Sequence, residues 1–351
     1  MEEFRWLAES GLLAAALPRS LCGGGLHAGP GTALPLLEIL RHIGRGSLPV
    51  GRIFEGHCNA LVLIALFGTP EQLARAAEEV HGHGRIFGVW NAEEDGGIRF
   101  VDAGAGRYRL EGVKLFCSGA GHVTRPIVTG RLPEGGWQMA VVPMDAVQTE
   151  ADHSWWQPVG MEPTVSAKVD FGGVELGPND LIGGPDDYYR DPWFNGGAIR
   201  FAAVQLGGAE GLYDAARAYL QGLRRTDHPA QRQRFSEMAM GIEAGANWVR
   251  GAAQVWERPV EDAAAIGVYA AMVRLSIEQI CLDTIRAVER SVGARGLMKP
   301  APFARLLRHL TMYLRQPAPD AVQEKVGRYV LDNPHAAFRH WPTDSAYESP
   351  A

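Results

Sequence analysis

The spacing of apolar residues changes twice along the chain, and this change constrains the fold more than any other feature. Apolar residues recur every three or four positions up to about Gly84 and again from about Gly197, as on one face of a helix. From Arg85 to about Pro178, short apolar or alternating segments are separated by glycines, which is typical of strands joined by turns. The order predicts an α+β, mainly α chain with an N-terminal helical domain, a central small antiparallel β-barrel and a C-terminal four-helix bundle.

The same pattern gives boundaries for domains and elements. We expect domains at residues 1–84, 85–180 and 192–332, and a tail at 333–351. A capping box is predicted at Thr69 and Gln72, with Pro70 in the first turn of the helix that follows. Helices are also expected over Phe4–Ala16, Ala33–Ile43 and Glu55–Phe67. Strands are expected over Ile86–Trp90, Ile98–Val101, Tyr108–Phe116, Trp137–Pro143 and Ala167–Phe171. Long helices follow from Gly197, with a further pair after Pro300 and Pro319.

Composition and charge exclude several classes of partner. The 351 residues are 21% charged with a net charge of −6, which argues against a nucleic-acid or anionic-membrane surface. The four cysteines have no pairing pattern, the N-terminus opens with acidic residues, and the longest apolar run, Ala60–Phe67, is too short to span a bilayer. We therefore expect a soluble, cytoplasmic protein with reduced thiols and no membrane partner.

No single sequence motif indicates which reaction the protein catalyses. His81 and His83 form a spaced pair, but no third ligand stands at a suitable distance in the sequence, so we predict no metal site. Gly23-Gly24-Gly25 follows no strand and opens no dinucleotide-binding pattern. The order of the segments along the chain is more informative than any one of them.

That order resembles the acyl-CoA dehydrogenase flavoprotein superfamily, and the resemblance extends from Trp6 to Leu331. Local strings similar to those of the family occur in the family's order: Gly23–Leu26, Gly68–Gln72, Phe87–Glu93, Leu110–Ala120, Val159–Ser166, Leu206–Ala209, Val292–Leu297 and Arg308-His309. The resemblance implies an oxidoreductase that binds FAD and acts on a small molecule, possibly an acyl-CoA or another acyl thioester. We also expect a homodimer or a dimer of dimers held through the bundle, because the apolar faces of the helices over Ala263–Ser291 and Phe303–Tyr313 exceed what one bundle can cover.

The resemblance places the cofactor on particular residues. It implies that Phe116 forms the aromatic wall of the flavin, that Ser118 faces flavin N5 and that Asn91 contacts the pyrimidine edge. Gly293 and Gly296 would let the backbone approach a phosphate or the adenine. Taken without the resemblance, Phe116 and Ser118 also fit a strand end, and the glycines also fit a helix C-cap.

The family's catalytic carboxylate is missing. Removal of an α-proton from an acyl thioester needs a general base, usually a Glu after the "RD" helix. Here Tyr313-Leu314-Arg315 occupies that place, and the second known position, near Gly197, has no acid either. Glu93, Asp95 and Asp191 are candidates for a relocated base, with Tyr313 and Arg315 as groups that orient the substrate.

Three functions remain open at this point. The first is dehydrogenation of an acyl thioester with a relocated base. The second is a flavin monooxygenase of the same fold, in which reduced flavin reacts with O₂ and no such base is needed. The third is a non-catalytic or hetero-oligomeric member that has lost FAD.

Overall fold

A computed structural model describes residues 2–26, 31–94, 96–258 and 263–333. Within them the helices are α1 Glu2–Glu9, α2 Ala33–Gly46, α3 Leu48–Phe67, α4 Pro70–His83, α5 Trp193–Gly222, α6 Pro229–Trp256, α7 Ala263–Gly296, α8 Phe303–Tyr313 and α9 Pro319–Asp332. The strands are β1 Ile86–Trp90, β2 Arg99–Gly104, β3 Arg107–Glu111, β4 Val113–Cys117, β5 Val123–Arg131, β6 Trp137–Val141, β7 Glu150–Asp152, β8 Ala167–Asp170, β9 Glu175–Leu176 and β10 Leu181–Ile182. The fold class is the predicted one, mainly helical with a central β region.

The chain forms two compact units that group the elements differently from the predicted ranges. One unit consists of residues 1–28 and 49–190, and the other of residues 29–48 and 191–351. The N-terminal helix α2 therefore belongs with the C-terminal helices. Residues 334–351, most of the predicted tail, lie outside the described residues.

The first unit is built around two sheets. The larger has the order β10-β6-β5-β2-β3-β9, with β1 paired to β5, and the smaller has the order β4-β8-β7. The pairs are antiparallel as predicted, except that β1 and one residue pair of β2 run parallel to β5. The interior is apolar and closed to solvent, with Ile98, Phe100, Leu110, Ile127 and Phe171 at its centre.

Gly112 divides one predicted strand into two. The expected strand Tyr108–Phe116 is β3 and β4, which belong to different sheets. Gly112 has a φ of +118°, and a Cβ there would lie 2.1 Å from the Gly97 carbonyl oxygen. Only glycine satisfies both conditions, so the chain turns there and carries β4 into the smaller sheet.

His57 connects three elements of this unit. Its Nε2 donates to the Leu13 carbonyl at 2.7 Å, and its Nδ1 accepts from the Phe87 N–H at 3.0 Å. These partners require the neutral ring, and complete burial lowers the pKa of His57 to about 4. The histidine thus ties α3 to the N-terminal segment and to β1, the strand that leads into Asn91.

The second unit packs α2 and α5–α9 around an alanine- and valine-rich core. Its buried side chains include Leu40, Leu206, Val249, Ile277 and Leu310. Ion pairs from α2 to α5 flank the close contact of the two helices: Arg41–Glu210 at 3.5 Å and Arg45–Asp214 at 2.5 Å. The long bundle helices and the pair after Pro300 and Pro319 are confirmed.

Element ends depart from prediction in a few places. The capping box at Thr69 and Gln72 forms with both hydrogen bonds, at 3.2 and 2.8 Å. The helix expected over Phe4–Ala16 ends at Glu9, and a short 3₁₀ turn follows. Strand β5 is not predicted from the sequence, because Pro126 in its middle lacks the N–H of a strand residue.

Two of the helices, α3 and α7, are long and apolar enough to cross a membrane by length and composition alone. The apolar window of each is mostly buried against protein, and core helices commonly meet the same criterion.

Candidate functional site

Residues 91–93 run beside β4 and bring three predicted site residues together. The Leu115 N–H donates to the Ala92 carbonyl at 2.8 Å, and Glu93 bridges to Lys114 in antiparallel register. This register places Asn91 across from Phe116. Trp90, the residue before Asn91, donates its indole N–H to the Ser118 carbonyl at 3.1 Å. Asn91, Phe116 and Ser118 therefore lie in one neighbourhood.

Phe116 presents an aromatic ring at the surface of this unit. It is 46% exposed, and the Trp155 ring lies edge-on to it at a centroid distance of 4.9 Å. Its φ is +51°, which a bulky residue rarely adopts. An exposed ring on a strained backbone is typical of a binding position, because a ring without such a role would normally be buried.

The turn after Phe116 is hydrogen bonded to a second segment with strained backbone, residues 161–165. Met161 and Val165 also have positive φ, at 65° and 43°. The Gly119 N–H donates to the Thr164 carbonyl at 2.7 Å, and the Ala120 N–H donates to the Val165 carbonyl at 3.2 Å. Left-handed conformations of non-glycine residues cost about 1–3 kcal/mol each, and they cluster where function requires a fixed geometry.

Ser118 joins a row of hydroxyl groups. It is 9% exposed, and its Oγ lies 2.9 Å from Ser166 Oγ. Ser166 Oγ in turn lies 2.8 Å from Thr164 Oγ1, and Thr164 is hydrogen bonded to the Met161 carbonyl at 2.8 Å. The string Val159–Ser166, noted in the sequence without roles for its residues, thus supports Ser118.

The Asn91 side chain is hydrogen bonded within the protein through its oxygen. Its Oδ1 accepts hydrogen bonds from Thr129 at 2.6 Å and from the Tyr189 hydroxyl at 3.2 Å. Its Nδ2 has no hydrogen-bond partner among residues 2–26, 31–94, 96–258 and 263–333. Because the oxygen is used inside the protein, the NH₂ group can donate outward.

Lys114 is a fully buried cation beneath this site, and sequence reasoning assigned it no role. Its Nζ donates to Glu93 at 2.6 Å, to the Asn91 carbonyl at 2.9 Å and to Thr129 at 3.2 Å. Burial lowers the pKa of Lys114, and the hydrogen bond that Lys114 donates to Glu93 opposes that shift. The sequence signal that could have identified it is a lysine among the apolar residues of a predicted strand. A lysine that is buried there is almost always paired with another polar group.

Glu93, a candidate base, is held by that lysine. Its Oε2 accepts from Lys114 and from the Ile98 N–H at 3.3 Å, and about a fifth of its side chain is exposed. Loss of a carboxylate that pairs with a buried ammonium leaves an uncompensated buried charge. The geometry therefore favours a structural role for Glu93.

The remaining base candidates lie elsewhere. In the second unit, Asp191 accepts a short hydrogen bond from Asn195 and lies 3.8 Å from Lys325. Asp95 lies outside the described residues. Tyr313 is buried at the end of α8, and Arg315 pairs with Glu278 at 3.3 Å. No Asp or Glu occurs in the sequence of α8, so this helix offers no carboxylate in place of the usual catalytic Glu.

Gly293 and Gly296 form the end of α7. Gly293 interrupts the helix with φ 61° and ψ −173°, a conformation essentially confined to glycine. Gly296 is buried, and a Cβ there would lie 2.5 Å from the Val292 Cβ. Gly293 is thus a break inside α7, with open space around its Cα, instead of a simple helix C-cap.

Among the residues that the structure describes, no three His, Cys, Asp or Glu side chains converge on a metal-sized position. The site consists of an exposed aromatic ring, a hydroxyl and an amide donor. This is a set for binding a flat, polar-edged ring system.

Comparison with known proteins agrees with the fold. Residues 190–314 match the family model "Acyl-CoA dehydrogenase, C-terminal domain". The structure resembles butyryl-CoA dehydrogenase from Megasphaera elsdenii, with a TM-score of 0.81 and 19% identity over 94% of this chain and 90% of that one. Residues 190–314 thus match the C-terminal domain of this family, and the chain has the acyl-CoA dehydrogenase-like fold.

The proteins that are similar in sequence over most of the chain are dibenzothiophene monooxygenases. The chain is 27% identical to dibenzothiophene monooxygenase from Mycolicibacterium goodii, and the match covers 94% of this chain and 87% of that protein. The fold matches dibenzothiophene monooxygenase TdsC from Paenibacillus sp. A11-2, with a TM-score of 0.84 and 23% identity over 94% of this chain and 90% of that one. TdsC has also been solved with FMN and with indole.

Proposed function

We propose that this protein is a flavin-dependent monooxygenase that uses FMN and oxygenates a small, apolar aromatic heterocycle. The relatives named as monooxygenases support the reaction, and the FMN and indole complexes of TdsC support the cofactor and the substrate class. This corresponds to the second function left open by the sequence, and it replaces FAD with FMN.

The residues present fit a flavin. The exposed Phe116 ring offers an apolar face, the Asn91 NH₂ group can donate to a ring carbonyl, and Ser118 offers a hydroxyl. When bound, reduced flavin supplies the two electrons that activate O₂. The protein's own part is to hold the ring flat between fixed partners and to keep bulk water from its edge.

The observation that carries the proposal is the state of the carboxylates. Among the base candidates that the structure describes, Glu93 neutralises buried Lys114 and Asp191 is engaged by Asn195, and buried Tyr313 and Leu314 stand at the end of α8 in place of the usual base. Dehydrogenation of an acyl thioester would lose the two to four orders of magnitude that a general base supplies. Oxygen transfer from a reduced flavin has no such requirement.

The proposal is tested by separating electron entry from oxygen transfer. The protein is loaded with FMN, and butyryl-CoA or octanoyl-CoA is mixed with it anaerobically. We expect no bleaching of the flavin absorbance. The protein is then reduced with dithionite, freed of excess reductant and exposed to ¹⁸O₂ with dibenzothiophene or indole. We expect ¹⁸O in the organic product by mass spectrometry.

Each other function gives a different result. Fast bleaching by either acyl-CoA would identify a dehydrogenase, and its loss in Glu93→Gln would identify the base. Failure of the protein to bind FMN or FAD at all would support the non-catalytic alternative. Either result would overturn the proposal.

A further inference from the structure

The hydroxyl groups of Ser118, Ser166 and Thr164 form a chain that ends on a carbonyl. The successive oxygen–oxygen distances are 2.9 Å from Ser118 to Ser166, 2.8 Å from Ser166 to Thr164 and 2.8 Å from Thr164 to the Met161 carbonyl. All three side chains are at most 9% exposed, so water does not compete freely for these bonds. Each hydroxyl carries one proton to donate and can accept through its lone pairs.

The last bond fixes the direction of all the others. A carbonyl has no proton, so Thr164 must donate to Met161. Thr164 then has no proton left for Ser166, and Ser166 must donate to Thr164. Ser166 in turn must accept from Ser118. The only other internal acceptor of the Ser118 hydroxyl among the described residues is the Phe116 carbonyl at 3.4 Å, which also directs the proton inward.

We propose that this chain makes Ser118 a hydrogen-bond acceptor toward its ligand, and that the site therefore favours reduced over oxidised flavin. The inference rests on the proposed function and on the position beside flavin N5 that the family resemblance implies for Ser118. In reduced flavin N5 carries a hydrogen and donates, whereas in oxidised flavin N5 has only a lone pair and accepts. An inward-pointing Ser118 proton satisfies the reduced form and leaves the oxidised form without a donor from this side chain.

The preference for reduced flavin comes from two residues, Ser166 and Thr164, that need not touch the flavin. They are positioning residues, because they act only through the proton of Ser118. Their substitution should change the relative affinity for the two redox forms, even where the total affinity changes little.

The test measures that relative affinity without turnover. The apoprotein is titrated with oxidised FMN in air and with dithionite-reduced FMN under argon, and quenching of tryptophan fluorescence reports binding. Trp155, whose ring is in contact with Phe116, and Trp90, whose indole N–H donates to the Ser118 carbonyl, are the reporters beside the site. The quantity of interest is the ratio of the two dissociation constants.

We expect Ser166→Ala to shift this ratio toward oxidised FMN by about threefold to tenfold, the size of one neutral hydrogen bond. The Ser118 proton is then free to turn outward. Thr164→Val should shift the ratio in the same direction, and Thr164→Ser, which keeps the hydroxyl, should restore the wild-type ratio. In a Ser118→Ala background, Ser166→Ala should have no effect on the ratio.

Two results would overturn the inference while the proposed function stands: FMN binds but Ser166→Ala leaves the ratio unchanged, or Ser166→Ala shifts it equally in the Ser118→Ala background. The second result would mean that Ser166 acts through packing. Absence of quenching by both forms of FMN would overturn the proposed function and this inference together. Thermal unfolding of each variant, compared with Thr164→Ser, identifies variants that have lost their fold.

Discussion

Lys114 shows how one buried charge can organise a site. Its ammonium contacts Glu93, the Asn91 carbonyl and Thr129, and Thr129 in turn holds the Asn91 side-chain oxygen. The lysine therefore constrains Asn91 through both its backbone and its side chain. Removal of one member of such a pair leaves an uncompensated group, whereas removal of both is less costly.

We predict that Lys114→Met destabilises the protein by about 3–5 kcal/mol, the cost of breaking a buried ion pair from one side. Urea unfolding followed by circular dichroism measures the change. The double variant Lys114→Met with Glu93→Gln should recover part of the loss, since no lone charge remains. Arg99→Met, which breaks the exposed pair with Glu111, is the matched control and should change the free energy of unfolding by less than about 1 kcal/mol. A Lys114→Met variant as stable as the control would contradict the ion-pair account.

At the scale of elements, His57 makes the stability of the first unit sensitive to pH, because it holds α3, the N-terminal segment and β1 together at one junction. Its pKa of about 4 lies below the usual value near 6.5, because the buried ring is desolvated. The unfolded chain therefore binds a proton at a higher pH than the folded chain does. The stabilisation from neutral His57 is complete above pH 6.5 and is lost as the pH falls toward 4.

We predict that His57 alone accounts for a loss of about 3 kcal/mol in the free energy of unfolding between pH 7 and pH 4. His57→Gln keeps a donor and an acceptor but does not titrate, so its stability should fall less over the same interval. Urea unfolding at pH 7, 5.5 and 4.5 compares the two, with His81→Gln as a control at an exposed position. Parallel pH curves for the wild type and His57→Gln would show that the junction does not depend on this ring.

Elements with strong local signals were predictable from the sequence. Strand β1 has the predicted ends, and the capping box at Thr69 forms as expected, because both depend on residues next to each other in the chain. The break at Gly112 depends on the approach of Gly97, which local pattern does not contain. The site divides in the same way: Phe116 and Ser118 came from a resemblance of strings, whereas Lys114 and Ser166 matter through contacts 21 and 48 residues away.

At the scale of the whole molecule, the second unit leaves apolar side chains in contact with solvent. Met240 is 63% exposed and Met298 is 66% exposed, and Leu297 beside it is 40% exposed. We propose that identical chains cover these residues in the assembled protein, a dimer or a dimer of dimers, and that the protein works in the cytoplasm. Apolar surface of this kind commonly marks a contact between subunits.

We predict a mass of at least twice 38.1 kDa by light scattering at low micromolar concentration. Met298→Glu should shift the protein toward the monomer, because it would bury a charge in an apolar contact. Gln233→Glu, which adds the same charge at an exposed polar position, serves as the control. A wild-type mass of a single chain would rule out the assembly.

The division of the chain between the two units has a consequence during synthesis on the ribosome. Helix α2 belongs with α5, yet the residues from 47 to 192 must be translated between them. At 5–20 residues per second this takes about 7–30 s, during which the apolar face of α2, with Leu36, Leu37 and Leu40, has no native partner. The nascent chain therefore offers chaperones an early binding segment, and slower translation of residues 47–192 should lengthen its exposure.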